Sequence, residues 1–148
     1  LEMRIGIENA STYIAPPGAQ MSEAEFVAAV VKEADCLLHL DVNNIYVNSQ
    51  NFGFDALDYL NTLPLERTCY VHVAGHYAEP DGLLIDTHGA DVIDPVWHLL
   101  LAAYERMGGD VPTCLERDFN LPSLNELTAE VMQIARLQAQ APRMKKVA

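Results

Sequence analysis

Between Tyr70 and Gly89 the chain reads YVHVAGHYAEPDGLLIDTHG, placing His72, His76, Asp86 and His88 within seventeen residues of a chain with only five histidines. Neutral imidazole and ionised carboxylate are ligands for iron, manganese and zinc. Several carboxylates close together also call for a cation, because without one they repel each other and raise each other's pKa values. Further polar groups follow apolar runs elsewhere: Glu8-Asn9 after MRIGI, Asp41 with Asn43 and Asn44 after CLLHL, and Glu116 after VPTCL. No cysteine stands at these positions, which argues against a structural zinc site of the cysteine type.

Each residue also has a bland reading. Glu8 and Glu116 can accept backbone hydrogen bonds at strand ends, Asp41-Val-Asn43-Asn44 suits a turn, and Asp86 can cap the turn that follows it. His72 lies among apolar residues, as a core histidine would, whereas His76 and His88 lie beside glycines in loops. His39, two residues before Asp41, and His98, on an expected helix, are assigned no role. Taken as a set, the residues point to a metal centre.

The elements that must position this set are readable from period and punctuation. Apolar runs at Met3–Asn9, Cys36–Val42, Cys69–Ala74 and Val111–Arg117 read as strands. Helices are expected from Ser22, with Glu25 completing a capping box, to about Ala34; from Asp55 through Asn61, stopped by Leu63-Pro64; from Asp94-Pro95 to Gly108-Gly109; and from Ser123, boxed by Glu126, to about Gln140. The stretch Ile45–Phe54 reads as irregular or briefly helical. Strand and helix alternate four times, the pattern of βα units with parallel strands, and each strand delivers an acid or imidazole at its C-terminal end. In an eight-stranded βα barrel such residues converge on one mouth.

A full barrel needs about 250 residues, so the 148 residues here suit about half of one. Residues 1–140 are expected to be that portion and 141–148 a polar tail. Four units cannot close a barrel. The chain by itself is therefore expected to leave unpaired strand edges and an apolar sheet face, and to form a homo-oligomer. A net charge of −12 argues against partnership with nucleic acid or an anionic membrane. No apolar run reaches eighteen residues, and the N-terminus lacks the features of a signal peptide. Three cysteines in apolar contexts, Cys36, Cys69 and Cys114, suggest reduced thiols and a cytoplasmic location.

GIENAS at Gly6–Ser11, LLHLDVNNIYVN at Leu37–Asn48, NFGFD at Asn51–Asp55, HVAGH at His72–His76, LIDTHG at Leu84–Gly89 and PVW at Pro95–Trp97 together resemble the multinuclear non-haem iron-dependent oxidative enzymes, also known as the UPF0276 proteins. The resemblance implies a TIM barrel of the xylose-isomerase-like group, of which this chain matches the C-terminal portion. It implies two or three iron ions, with zinc or manganese as possible substitutes, and dioxygen-dependent modification of cysteine residues in ribosomally made precursor peptides. A separate protein often presents the peptide. By resemblance Glu8, Asp41, Asn44, His76, Asp86, His88 and Glu116 match metal-ligand motifs, with His72, Asn9 and Asn43 as supporting residues or further ligands. Two other readings stay open: a divalent-metal isomerase or phosphoesterase on the same scaffold, and a non-catalytic metal-binding or structural fragment.

Overall fold

Alternating strands and capped helices appear close to where the sequence puts them. The computed structural model describes residues 3–141. In chain order these form β1 (Gly6–Glu8), α1 (Glu23–Glu33), β2 (Leu37–Asp41), α2 (Val42–Phe52), α3 (Ala56–Thr62), a 3-10 turn (Leu65–Arg67), β3 (Thr68–Ala74), β4 (Tyr77–Ala78), β5 (Leu84–Ile85), α4 (Asp94–Met107), β6 (Thr113–Glu116) and α5 (Leu124–Gln140). The polar tail expected over 141–148 lies, from residue 142 on, outside the described residues.

Both expected capping boxes form. Ser22 and Ser123 each accept from the backbone N–H three residues on, while Glu25 and Glu126 reach back to the cap N–H. Such reciprocal pairs satisfy two orphan donors of a helix start. α4 begins one residue away from expectation: Ile93 is the flanking residue, and Asp94 and Pro95 are the first helical positions.

The larger departure is α2. Most of the stretch expected to be irregular or briefly helical lies in an eleven-residue helix that begins three residues earlier, started by Asp41, whose Oδ1 accepts the Asn44 N–H at 2.8 Å, and ended by left-handed Gly53. Its asparagines are poor helix formers, which hid it. Each is instead held by tertiary hydrogen bonds, Asn44 to the Asn9 carbonyl and Asn48 to the Ala10 carbonyl, Glu23 and the Thr12 N–H. The β4–β5 hairpin was also not legible. Asn51 of α2 grips it by donating to the Leu84 carbonyl and accepting the Leu84 N–H, both at 2.9 Å.

Four strands make one parallel sheet in the order β1-β2-β3-β6. Side chains alternate across a strand, so the register sorts them into two faces. Leu38, Leu40, Val71 and Val73 are fully buried on one face, in a single core with Val27 and Val31 of α1, Ile45 of α2, Leu60 of α3, and Val96, Leu100 and Ala103 of α4. Each such valine, leucine or isoleucine contributes about 1.5–3 kcal/mol by leaving water. The opposite face carries Glu8, His39, Asp41, Tyr70, His72, Cys114 and Glu116, as the pairs Glu8–His39, His39–Tyr70, Asp41–His72 and His72–Cys114 require. The uncovered face is therefore not apolar, as expected, but polar and aromatic.

At the end of β3, Gly75 lets the loop between β5 and α4 pass against the strand. A Cβ there would overlap the carbonyl oxygen of Ala90 and crowd the Asp91 carbonyl. Both obstacles are backbone and cannot rotate away. Gly75→Ala should destabilise the chain by about 1–3 kcal/mol and displace the loop that carries His88. Urea unfolding monitored by circular dichroism checks the first, and a changed His88 imidazole resonance checks the second.

Candidate metal centre

Asp41 closes β2 and is fully buried. Its backbone is clasped by the amide of Asn9, which donates to the Asp41 carbonyl at 2.8 Å and accepts the Asp41 N–H at 2.9 Å. Oδ1 caps α2, and Oδ2 has no partner. Burial pushes this carboxyl well above the ordinary aspartate range, and the nearby Asp86 and Glu8 carboxylates push the same way.

His72 lies on the next strand, on the same face. Its Nδ1 is 2.9 Å from Glu116 Oε2, 3.2 Å from Glu8 Oε1 and 3.9 Å from Asp41 Oδ2. Carboxylates from three strands thus meet around one imidazole. The His39 ring packs edge-on to that of His72, with centroids 4.1 Å apart, and its Nε2 is 4.0 Å from Glu8 Oε1. Burial holds His39 below the ordinary histidine value, keeping it in the neutral form that binds metals.

The loop after β5 supplies Asp86 and His88. His88 has a left-handed backbone, φ 51°, rare for a side chain of its size and the sort of strain that collects at functional sites. Asp118 on the loop after β6 pins it by donating its N–H to the His88 carbonyl. Its Nδ1 is 3.4 Å from both Glu116 and Asp118, and its Nε2 is 2.8 Å from Asp86 Oδ1. The Asp86 carboxylate is the chief reason its pKa rises to about 9. Burial pushes Asp86 itself up, but the close, charged His88 ring and hydrogen bonds from Ser11 and Asn43 outweigh burial and leave it below the ordinary value. Asn43 joins two members of the set, donating to Asp86 Oδ1 at 2.7 Å and accepting from His76 Nδ1 at 2.8 Å. Burial holds His76 below the ordinary histidine value, against the pull of Asp86, and its ring lies over Tyr46.

The structure thus draws together Glu8, Asp41, His72, Asp86, His88 and Glu116. Asn44 lies beneath them with its Oδ1 buried and unpartnered. His76 is tied to the cluster through Asn43. Asn9 is a clamp, with both amide atoms committed to the Asp41 backbone. Sequence reasoning set His39 aside, yet it faces the centre. The signal was its spacing, since residues two apart on a strand share a face. Asp118 was missed as well, because nothing in its local sequence marks it. His98 stays outside, in a groove between α2, α3 and α4.

Donor atoms of Asp41, His88 and Glu116 lie within 4.8 Å of one another, as do those of Glu8, His39 and His72. Asp41 Oδ2, Asn44 Oδ1, His39 Nε2, His72 Nδ1 and His88 Nε2 are all buried without a hydrogen-bond partner. Two of these atoms, His72 Nδ1 and His88 Nε2, approach a carboxylate oxygen within 2.8–3.2 Å but without the alignment that a hydrogen bond needs. Buried polar groups are normally satisfied. Donors that crowd together yet do not point at one another fit a set aimed at a shared cation, and the mixture of imidazole, carboxylate and amide fits iron, manganese or zinc.

Residues 1–139 match the profile of a protein family described as RiPP precursor modification enzyme MbnB/TglH/ChrH. A UPF0276 protein of Nitrosospira multiformis is 58% identical over 140 residues, covering 95% of this chain and 49% of the relative. One from Shewanella amazonensis is 56% identical over 143 residues, covering 97% and 51%, and one from Pseudomonas aeruginosa is 54% identical over 138 residues, covering 93% and 48%. The chain spans about half the length of these curated relatives.

A folded-state carboxyl pKa raised above its ordinary value means that the native state holds the proton more tightly than the unfolded one. Its contribution to stability is complete below about pH 3.8 and is lost as pH rises through the folded value. Asp41→Asn keeps the cap and removes the charge. In chelator-treated protein it should match the parent near pH 4 and exceed it at pH 8, by about 1.4 kcal/mol for each pH unit over which the folded carboxyl stays protonated above its unfolded value. Denaturant titrations at the two pH values measure the difference.

Proposed function

Because the chain belongs to the MbnB/TglH/ChrH family of RiPP precursor modification enzymes, the UPF0276 proteins, we propose that it is the C-terminal half of an iron-dependent oxidative enzyme acting on cysteine residues of a ribosomally made peptide. The observation that carries the reading is Asp41, fully buried with one oxygen unpartnered and with a carboxylate oxygen within 4.8 Å of donor atoms of His88 and Glu116. Glu8, Asp41, Asn44, His72, His76, Asp86, His88 and Glu116 would hold the ions, two or three in the completed fold. Bound iron would supply one-electron redox chemistry with dioxygen, which zinc does not perform.

The chain's own residues do the rest. Asn43 fixes the orientation of His76 and Asp86, and an orienting partner behind a ligand tunes its basicity and direction. Asn9 and the start of α2 hold Asp41 rigid. The His88 pKa of about 9 means that a cation binding its ring displaces a proton near neutral pH, and burial shifts the Asp41 carboxyl in the same direction. Metal uptake should therefore release protons and strengthen from pH 7 towards pH 9. The peptide would reach the centre from the open face of the sheet, presented by a partner protein.

The sheet is read here as half of a closed barrel. β1 and β6 each have one neighbour among the described strands, and exposed edges invite pairing. In the longer relatives the remaining half of the chain would fill both edges; in this chain alone a second copy would. Those edges favour a second reading for the isolated chain, a metal-binding piece that is inactive until the sheet is completed.

Two experiments test the proposal. Light scattering on the isolated chain should give a dimer or larger species, whereas a monodisperse, cooperatively unfolding monomer would contradict the edge argument. In a full-length protein containing this sequence, iron loading should produce oxygen consumption that depends on a cysteine-bearing peptide. His88→Ala should lower the iron content and abolish that consumption with an unchanged circular dichroism spectrum. Equal activity in an iron-free, zinc-loaded preparation would refute the redox assignment.

A further inference from the structure

Thr87 and Gly89, the chain neighbours of His88, also line a cavity that the metal centre does not use. It is a cleft of about 450 Å³ bounded by Tyr77, Thr87, Gly89, Ala90, Phe119 and Asn120. Its walls come from the segments that follow β3 and β6, which are adjacent strands, so the cleft is complete within this chain. Tyr77 opens β4, and Asn51 fixes that hairpin through Leu84, the register partner of Ala78. Phe119 is fixed from both sides. The Asp118 N–H donates to the His88 carbonyl at 2.9 Å, and the Asn120 side chain donates to the Gly89 carbonyl at 3.0 Å. Gly89 makes room for it, since a Cβ there would stand 3.2 Å from Phe119 Cβ. Yet Phe119 is 62% exposed and Tyr77 52%. Aromatic rings carry the largest apolar areas of any side chain. Rings left in water on a backbone already held in place offer that area to a ligand with little ordering cost.

We propose that this cleft is a specificity pocket for an aromatic side chain of the peptide substrate, on the residue next to the cysteine presented to the metal centre. The inference rests on the peptide-modifying reading above and adds a substrate preference to it. None of the lining residues carries a charge and two are aromatic, the make-up of a site for an apolar group. Aromatic walls favour a guest ring over an aliphatic chain, because offset and edge-to-face ring pairs gain beyond the area they bury. The acids flanking the lining residues in sequence do not call for a cation. Asp91, after Ala90, is paired with Arg117 at 2.8 Å, and Asp118, before Phe119, lies 3.4 Å from His88 Nδ1. They are not left to recruit a lysine or arginine, and they disfavour an acidic guest. The position in the peptide follows from the chain. Consecutive Cα atoms are about 3.8 Å apart, so a wall made by Thr87 and Gly89 starts one residue's distance from His88. A guest seated against it belongs to the residue adjoining the cysteine.

The test uses a full-length protein containing this sequence, kept anaerobic, and capped pentapeptides of the form glycine-X-cysteine-X-glycine as probes, with X phenylalanine, glycine, lysine or glutamate. Binding is read from the amide resonances of Gly89 and Asn120. The phenylalanine peptide should shift both and bind about tenfold more tightly than the glycine peptide, as burial of one ring implies. Phe119→Ser and Tyr77→Ser should each erase that preference with unchanged iron content, and Phe119→Tyr should keep it. The preference should persist in iron-free protein, because it comes from the rings. Failure of the iron chemistry alone would therefore count against the proposed function and not against the cleft. Equal affinity for the phenylalanine and glycine peptides, a preference that survives both serine substitutions, tighter binding of the lysine peptide, or no binding of the phenylalanine peptide at millimolar concentration would each overturn the pocket and leave the metal centre standing.

Discussion

A carboxylate with no access to water and a free oxygen is the constraint around which this molecule is arranged. Asp41 is gripped from behind by Asn9 and spends one oxygen on the first turn of α2. Its other oxygen has no hydrogen-bond partner, the His72 ring nitrogen being 3.9 Å away, and burial raises the pKa of the carboxyl well above the ordinary range. Burying an uncompensated charge costs several kcal/mol, so a group placed this way either stays neutral or awaits a cation. His88 lies between Asp86 and Glu116, and the Asp86 carboxylate is the main reason its pKa rises to about 9.

The scaffold divides its labour by strand face. Leucine and valine on one side of the sheet bind the helices, and those same strands turn histidine, glutamate and aspartate to the other side. Stability and chemistry are thereby carried by alternating residues of the same short segments. The loops complete the site under strain. His88 is left-handed, Asn120 is too, and the Asn120 side chain donates to the Gly89 carbonyl. The two loops are thus tied to each other, with Gly75 giving one of them room to approach β3.

Much of this was legible in the sequence, for identifiable reasons. The strand ends announced themselves because an apolar run that stops at Glu8, Asp41 or Glu116 has a visible period and a visible break. The capping boxes at Ser22 and Ser123 are local chemistry and need no tertiary knowledge. What escaped depended on distant partners. α2 is rich in asparagines whose stabilising bonds reach to residues 9, 10 and 12, so propensity alone argued against it. The β4–β5 hairpin is held by Asn51 from a different element. His39 was visible as a strand residue, but that its face was the polar one emerges only from the pairing with Glu8 and Tyr70. Asp118 reaches His88 through a loop path that no spacing encodes.

The claim that these side chains surround a cation is tested most directly by diffraction. Crystals of the chain grown anaerobically with iron(II), with data collected on both sides of the iron absorption edge, should show an anomalous peak within bonding distance of Asp41 Oδ2 and of donor atoms of His88 and Glu116. Iron-replete crystals in which that space holds only water, while Asp41 Oδ2 stays unpartnered, would contradict the account.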